Sequence, residues 1–464
     1  VNILETKHFA QWTGGYWTSE APSAVEGFNI DSRIVRPGQM FVAISTSSRD
    51  GHRYVEDAQS KGASAALVSR KVMDCPLPQL VVEDTQMALW AIAKAHRESY
   101  PGIVIGISGS CGKTSTKDLL AELFHPKSQK TPGNLNNHLG VPLTLTSLHG
   151  DSRYAVVEVG MNIPGEIEAL SELIQPDYAI ITGIAPVHLQ GVGSLEGVAQ
   201  EKSALAKVCS KLCVLPVECF RYAGFSDLDR PCLILGKPEA SRPYPDGARF
   251  LDYSIKHDTE TTHLEIGEAN GAMVFRQARL SQGMARNRVL AIALALELGL
   301  GASQIQSRLD AMGASRLRGE RIRVGELEIF VDCYNANPVS MRDALEFFQA
   351  TTDPGQTRHY VLGGMKELGE YTEDYHRELG RSFRLRPNDH LLLTGKEMQA
   401  FVEGYQEAGR DDSRMVFFHD KEEAVRLLKG ANGNVFIKGS RAYLLENIVH
   451  RLKEELFRKE TTQC

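Results

Sequence analysis

The alternation of apolar and polar positions divides the chain into three blocks, each with its own predicted elements. In the first hundred residues, short apolar runs such as Gln39-Met40-Phe41-Val42-Ala43-Ile44 and Ala65-Ala66-Leu67-Val68 have the length and composition of strands. Between them Arg53 to Lys61 reads as a helix ended at Gly62, and Met87 to Tyr100 as another stopped by Pro101. From Gly102 the pattern becomes strand, turn, helix. Apolar strands are predicted at 103–107, 154–159, 178–182 and 212–215, with a helix from Thr114 to Phe124 after the first. Helical segments between apolar strands indicate a largely parallel sheet covered on both faces. The stretch Ala240 to Val274 is more polar and alternates over short segments, as an antiparallel edge or flap would, and Asn287 to Gly299 is an alanine- and leucine-rich helix. After a break near Gly313 to Arg318, strands and helices alternate again from Leu327 to a terminal helix, which predicts a second α/β unit of Rossmann-like type. The expected fold class is α/β in three domains, spanning 1–100, 101–313 and 314–464.

Composition sets limits on this picture. The 464 residues are 42% hydrophobic and 24% charged, as in an ordinary globular protein, so disorder, collagen-like structure and a disulfide-stapled miniature are excluded. Against 52 Lys and Arg stand 58 Asp and Glu, a net charge of -6. Coating nucleic acid needs a basic excess or stripe, so no nucleic-acid partner is expected, whereas an anionic small substrate needs only a local cluster of donors. No apolar run reaches 18 residues, and Val1 to Trp17 lacks the apolar stretch of a secretory leader, so a cytosolic protein without membrane attachment is expected. The eight cysteines are scattered without a C-x-x-C pair, which points to neither a zinc site nor a disulfide framework.

The most informative segment is Gly106-Ile107-Ser108-Gly109-Ser110-Cys111-Gly112-Lys113-Thr114-Ser115, between an apolar strand and a helix. Its glycines allow successive N–H groups to turn inward on phosphate oxygens at a helix N-terminus. Lys113 can then reach the outer phosphates, and the Thr114 hydroxyl can bind magnesium. Gly109, Ser110, Cys111, Gly112 and Ser115 complete the expected nucleotide loop. The strict pattern would put glycine at Ile107, where this chain has it one residue earlier. An ordinary glycine-rich turn competes with this reading, but Gly-Lys-Thr between strand and helix outweighs it. The loop alone leaves kinase, ATPase, GTPase and ligase open.

The segments around it narrow the choice. The loop, followed by Thr131-Pro132-Gly133-Asn134-Leu135-Asn136-Asn137-His138-Leu139-Gly140, resembles that of the Mur ligases, ATP-dependent enzymes that form amide bonds in peptidoglycan precursors. So do Glu158-Val159-Gly160-Met161-Asn162 and His188-Leu189-Gln190-Gly191-Val192-Gly193. In the last block, Asp332-Cys333-Tyr334-Asn335-Ala336-Asn337-Pro338, Gly363-Gly364-Met365-Lys366-Glu367-Leu368-Gly369 and Lys438-Gly439-Ser440-Arg441 look like the branch that adds D-alanyl-D-alanine. No Asp-Asn-Pro-Arg of the diaminopimelate-adding branch is present. At the front, Asp31-Ser32-Arg33 with Pro37-Gly38-Gln39-Met40-Phe41 and Asp50-Gly51-His52 resembles a uridine-nucleotide-binding domain. The chain departs from the family pattern at Cys111 (usually Asn or a small polar residue), Gly183 (Asn), Arg286 (His) and Gly364 (Asp).

The resemblance implies a small uridine-nucleotide-binding domain, a central P-loop domain with a mostly parallel sheet and a Rossmann-like ligase domain. It also implies acyl-phosphate chemistry. UDP-N-acetylmuramoyl-tripeptide would be activated by ATP at its carboxylate and then attacked by D-alanyl-D-alanine, on a chain expected to be monomeric. Two anions must meet, so cations must gather. By resemblance Lys113 neutralises the outer phosphates, Thr114 and Glu158 hold one Mg²⁺, and His188 binds a second. Lys202 matches a lysine that the family carbamylates, which would make it a further magnesium ligand. Without the resemblance, His188 and Lys202 read as a structural histidine and a solvated lysine. Asn287 is implied in adenine contact or serves as an N-cap. Asp332, Tyr334 and Asn335 suit ribose or phosphate contact, and Arg318 suits phosphate or is simply exposed. Asn134 and Asn137, with Asn136 equally readable as a polar turn, are candidates for nucleotide or substrate. Ser32 and Arg33 are candidates for uridine diphosphate, with a surface salt bridge as the alternative for Arg33. A sibling ligase adding one amino acid and a catalytically silent nucleotide-binding regulator remain as rivals. The presence of Lys113, Glu158, His188 and Lys202 together speaks against the second.

Overall fold

Aliphatic runs too short for helices make three main sheets, each drawn from one stretch of chain. The computed structural model describes residues 4–267, 271–312 and 319–462. The first sheet contains β1 (Tyr16–Trp17), β2 (Phe28–Asn29), β3 (Met40–Val42), β4 (Ala65–Val68) and β5 (Gln79–Val81), in the order β1-β5-β4-β3-β2. Only β1 runs antiparallel to its neighbour. The expected Arg53–Lys61 helix is a 3₁₀ turn at Gly51–Tyr54 followed by an α-helix at Val55–Ser60. Helix α1 (Thr85–Ser99) is capped by Asp84 and shared between two units. Its Ala88, Leu89 and Ile92 pack on the first sheet, while Ala93 joins the core of the second. Its Trp90 indole donates to the His138 carbonyl at 2.7 Å.

The central sheet is all parallel, with seven strands. They are β6 (Ile103–Ser108), β7 (Ser128–Lys130), β8 (Tyr154–Glu158), β9 (Tyr178–Ile181), β10 (Leu212–Pro216), β11 (Cys232–Leu235) and β12 (Arg249–Leu251). The order is β12-β11-β10-β9-β6-β8-β7, so β6 lies between β8 and β9 and the chain leaves it in one direction and returns past it. That is a topological switch point, where the carboxyl ends of open α/β sheets leave a crevice. Helices α2 (Lys113–Leu123) and α3 (Leu195–Val208) follow β6 and β9. Apolar clusters cover both faces of the sheet. The polar stretch expected to be antiparallel does form an antiparallel ribbon, β13 (Tyr253–His257), β14 (Thr261–Ile266) and β15 (Met273–Ala278), although its leading segment joins the parallel sheet as β12. Helix α4 (Gln282–Glu297) begins five residues before the expected Asn287. The Ser281 hydroxyl caps it by accepting the Met284 N–H at 3.2 Å, so Asn287 lies inside the helix and is not its cap.

The third sheet has the order β16-β17-β21-β18-β19-β20. It is built from β16 (Glu320–Val324), β17 (Leu327–Val331), β18 (Arg358–Gly363), β19 (His390–Thr394), β20 (Met415–Phe417) and β21 (Gly433–Lys438). Only the β16–β17 pair is antiparallel. Helix α5 (Pro338–Thr351) follows β17. One of its two cores takes in Val187, Leu189 and Val198 from the central unit, so the second and third units share a packed seam. The expected break at Gly313 to Arg318 lies outside the described residues. Among the described residues no helix is long and apolar enough to cross a membrane.

Candidate active site

The nucleotide loop is built from backbone outward. Gly109 has φ +134° and a Cβ there would sit 2.1 Å from the Thr182 hydroxyl oxygen, so the approach of β9 leaves room only for glycine. Gly112, at φ +80°, opens α2, and its missing Cβ is the space filled by the Asn287 amide, which would lie 1.9 Å away. Ser110 has a shaping role: its hydroxyl donates to Ala185 O at 3.0 Å and accepts from Ala185 N at 2.9 Å, while its N–H donates to Gly183 O at 2.9 Å. The Thr182 hydroxyl donates to the Cys111 carbonyl. Ser115 is half-buried in the first turn of α2, and Lys113 Nζ lies over the loop, 2.8 Å from Gly109 O.

Glu158, at the end of β8, pairs in register with Ile107 of β6, which brings its carboxylate beside the loop. Its Oε1 accepts the Thr114 hydroxyl at 3.1 Å and the Asn136 amide at 2.8 Å. Its Oε2 stands 3.5 Å from Lys117 Nζ, which also donates to Gly133 O at 2.6 Å. Burial pushes the Lys117 ammonium down from the usual lysine value, while the Glu158 and Asp118 carboxylates work the other way. No sequence motif marks Lys117. It follows Lys113 by one helical turn, a spacing that puts both on one face of α2.

Lys202 is 0% exposed on α3, and its Nζ has no hydrogen-bond partner among the described residues. Burial, reinforced by the nearby Lys113 ammonium, holds its pKa well below the usual lysine value, while the Glu201 and Glu166 carboxylates work the other way. His188 has a left-handed backbone at φ +53°. Its Nδ1 lies 2.6 Å from Oε2 of Glu367, which comes from the third unit. Among the described residues no group of three or more His, Cys, Asp or Glu side chains could hold a metal unaided.

The third unit brings its expected loop to the same place. The Asp332 carboxylate accepts from buried Lys438 at 2.6 Å, and Lys438 also reaches the Asn335 carbonyl at 3.3 Å, fixing the loop from below. Tyr334 is half-buried, and exposed Asn335 accepts the Ala336 N–H at 2.9 Å. Asn337 caps α5 through Ser340 N at 2.9 Å and donates its amide to Cys111 Sγ at 3.0 Å, joining the two loops. Other candidates stand outside this network. Asn134 is exposed, and Asn137 accepts from Leu139 N and Gly140 N at 3.2 and 2.9 Å in a local turn. Ser32 is buried in the first unit. Arg33 is 81% exposed and forked onto Asp31, whose carboxyl it pulls down to about 2. Arg318 lies outside the described residues.

Comparison with known proteins matches each unit. The Mur ligase family, catalytic domain profile covers residues 24–97, the Mur ligase middle domain covers 107–219 and the Mur ligase glutamate ligase domain covers 317–441. The UDP-N-acetylmuramoyl-tripeptide--D-alanyl-D-alanine ligase of Bacillus subtilis is 32% identical over 93% of this chain and 94% of its own length. The chain belongs to the Mur ligase family. The ligase of the same name from Escherichia coli is 30% identical over 94% of this chain and 95% of its own. The crystal structure of MurF from Acinetobacter baumannii superposes with a TM-score of 0.82 at 27% identity, covering 97% of this chain and 99% of that one.

Two departures from the Mur ligase pattern have a visible accommodation. A Cβ at Gly364 would lie 3.0 Å from Glu397 Cδ, so the Glu397 carboxylate crowds the place where an aspartate would extend. Glu397 accepts the Tyr443 hydroxyl at 2.8 Å and pairs with Lys366. Arg286 pairs with Glu218.

The Lys117–Glu158 pair generates a stability prediction. Lys117→Met leaves a buried carboxylate without its cation and should lower stability by about 3–5 kcal/mol. Lys117→Met combined with Glu158→Gln should recover much of that loss. Urea unfolding of the two single variants and the double variant measures the coupling.

Proposed function

We propose that this chain joins D-alanyl-D-alanine to the peptide carboxylate of UDP-N-acetylmuramoyl-tripeptide, with ATP converted to ADP and phosphate. The observation that carries the reading is the convergence, at one switch point, of the Lys113 loop, the Thr114–Glu158 pair and the orphaned Lys202 amine, faced by the Asp332–Asn337 loop. The strongest support for the substrate pair is likeness over almost the whole chain to ligases of that name.

The chemistry follows from charge. The tripeptide carboxylate attacks the γ-phosphorus, the bond to the ADP oxygen breaks, and an acyl phosphate forms. The dipeptide amine then attacks the acyl carbon, phosphate leaves with the C–O electron pair, and the amine loses a proton. Lys113 neutralises charge that shifts toward the leaving ADP, an interaction worth most in the transition state. Thr114 with Glu158 is the donor set suited to hold a magnesium ion, which when bound would further neutralise the triphosphate. Water would hydrolyse the acyl phosphate, so the facing units also serve to exclude it. In the first unit Ser32 and Arg33 are assigned to the uridine diphosphate, for which Arg33 exchanges Asp31 for phosphate. Domain boundaries near 100 and 313, a cytosolic location and no nucleic-acid partner complete the reading.

Lys202 in this reading carries a carbamate. A neutral amine adds CO₂ and releases a proton, and an unpartnered amine of lowered pKa in a sealed site is suited to that reaction. The product is an anion that, with His188, would serve a second magnesium, where an ammonium would repel it.

Phosphate release should require ATP, UDP-N-acetylmuramoyl-tripeptide and D-alanyl-D-alanine together. Lys113→Ala should reduce turnover by orders of magnitude. Release that is independent of the dipeptide, or faster with a single amino acid in its place, would overturn the assignment. For Lys202, enzyme equilibrated with ¹³C-bicarbonate should show a carbamate resonance that is absent from Lys202→Gln. Lys202→Ala should be nearly inactive and regain part of its rate with added short carboxylates.

A further inference from the structure

We propose that the crevice at the carboxyl ends of β19 and β20 selects the incoming dipeptide, with Lys396 and Lys421 binding its carboxylate and aromatic walls packing on its methyl groups. The proposal rests on the reading above in which D-alanyl-D-alanine is the amine substrate, and it adds the residues that choose it. Its first basis is topological. The helix after β19, Met398–Glu407, packs in the apolar cluster on one face of the third sheet. The helix after β20, Lys421–Leu428, packs in the cluster on the other face. Neighbouring parallel strands whose helices leave to opposite faces open a gap between their ends, and such gaps are where open α/β sheets bind ligands.

Here the gap is a cavity of about 620 Å³. Phe417, Phe418 and Tyr443 form apolar wall, Lys396, Lys421 and His419 reach it from the strand ends, and none of its lining residues is acidic. Among the described residues neither lysine makes an ion pair. The carboxylates nearest in the chain are committed elsewhere. Asp420 accepts the Glu423 N–H at 2.8 Å, Glu423 accepts the His419 N–H at 3.0 Å, and Glu397 pairs with Lys366. Two ammonium groups without a counter-ion suit an anion, and a carboxylate is the anion of a dipeptide. An inorganic anion would leave the aromatic walls unused, whereas alanyl methyl groups fill them.

The crevice adjoins the seam between the second and third units. It lies on the same edge of the third sheet as the Asp332–Asn337 loop, whose Asn337 amide meets Cys111 Sγ at 3.0 Å. Tyr443 stands with its ring centroid 5.1 Å from Lys366 Nζ, and the carbonyl of the next residue, Glu367, accepts the Gln190 N–H of the central unit at 3.2 Å. A Cβ at Gly395 would lie 2.2 Å from the Tyr443 hydroxyl oxygen, so the end of β19 sets the ring in place. An occupant lying along this tyrosine has its carboxylate at the lysines and its amine toward the seam. An extended dipeptide spans about 7 Å, twice the length of one amino acid. A single amino acid has to give up one end or the other.

The test measures phosphate release by the full-length enzyme with D-alanyl-D-alanine and with D-alanyl-D-alaninamide, which keeps the amine and both methyl groups and lacks the carboxylate charge. In the wild type the amide should have a KM about 10–100-fold higher, the range expected for charge-assisted hydrogen bonds. Lys396→Met combined with Lys421→Met should raise the KM for the dipeptide by a similar factor and abolish the preference for acid over amide. The KM values for ATP and UDP-N-acetylmuramoyl-tripeptide should not change. Lys396→Arg combined with Lys421→Arg keeps both charges and should keep the preference. A double Met variant with the wild-type preference would overturn the proposal. So would a raised KM for the UDP-substrate in place of the dipeptide, which would assign the lysines to another anion. Failure of the underlying reading looks different: neither dipeptide nor amide would stimulate release from the wild type, and the crevice would lose its assigned occupant with it.

Discussion

Glu158 is 1% exposed at the end of a fully buried strand, and its charge is answered by Lys117, itself 1% exposed, at 3.5 Å. Isolated, either ion would lose several kcal/mol of hydration, so each is tenable only through the other and through the hydrogen bonds that complete it. The Thr114 hydroxyl, the Asn136 amide and the Gly133 carbonyl supply those bonds. The pair thereby ties together α2, the 131–137 loop and β8, which are the three segments that surround the expected triphosphate.

The same electrostatics separates the three lysines of the site by role. Lys117 keeps a carboxylate partner. Lys113 is the first lysine of α2, where it can follow phosphate charge, and rests on a backbone carbonyl meanwhile. Lys202 receives neither, and the Lys113 ammonium adds to the burial that disfavours its charged form. Of the three, Lys202 is the one whose nitrogen has no hydrogen-bond partner among the described residues.

Much of this was legible in the sequence, and the reasons differ by residue. The three α/β blocks could be read because short apolar runs punctuated by glycine and proline admit few alternatives. The nucleotide loop could be read because backbone chemistry there demands glycine and lysine at fixed offsets. Lys117 and Lys438 could not be read, because a buried lysine has the sequence appearance of an exposed one until its carboxylate is known. Asn136 reads equally as a polar turn, and only the folded 131–137 loop shows its amide donating to Glu158. Glu367 is separated from His188 by almost the whole length between the two units' loops, and no periodicity spans that distance. The apolar pattern starts α4 late because Ser281, Gln282 and Gly283 carry no apolar signal, although their capping chemistry starts the helix.

That early start of α4 links the third unit to the nucleotide loop by a second route. Asp343 on α5 accepts the Ser281 hydroxyl at 2.6 Å and the Gly283 N–H at 2.8 Å, placing a negative charge on the N-terminus of α4 where the helix dipole favours it. Farther along α4, Asn287 fills the space beside Gly112. Position therefore passes from Asp343 to the helix end, from the helix to Asn287, and from Asn287 to the turn that opens α2. The direct contact of Asn337 with Cys111 and the pairing of Glu367 with His188 reach the same loop region from the same unit. All three links are polar, so water can replace each when the units part, whereas the apolar seam around Leu189 gives docking its favourable area. An interface of this composition holds together through burial and takes its register from the polar links. Any displacement of the third unit is then felt at the phosphate loop, at His188 and at Asn287 together, which is the behaviour needed of a site that must be complete before a carboxylate is activated.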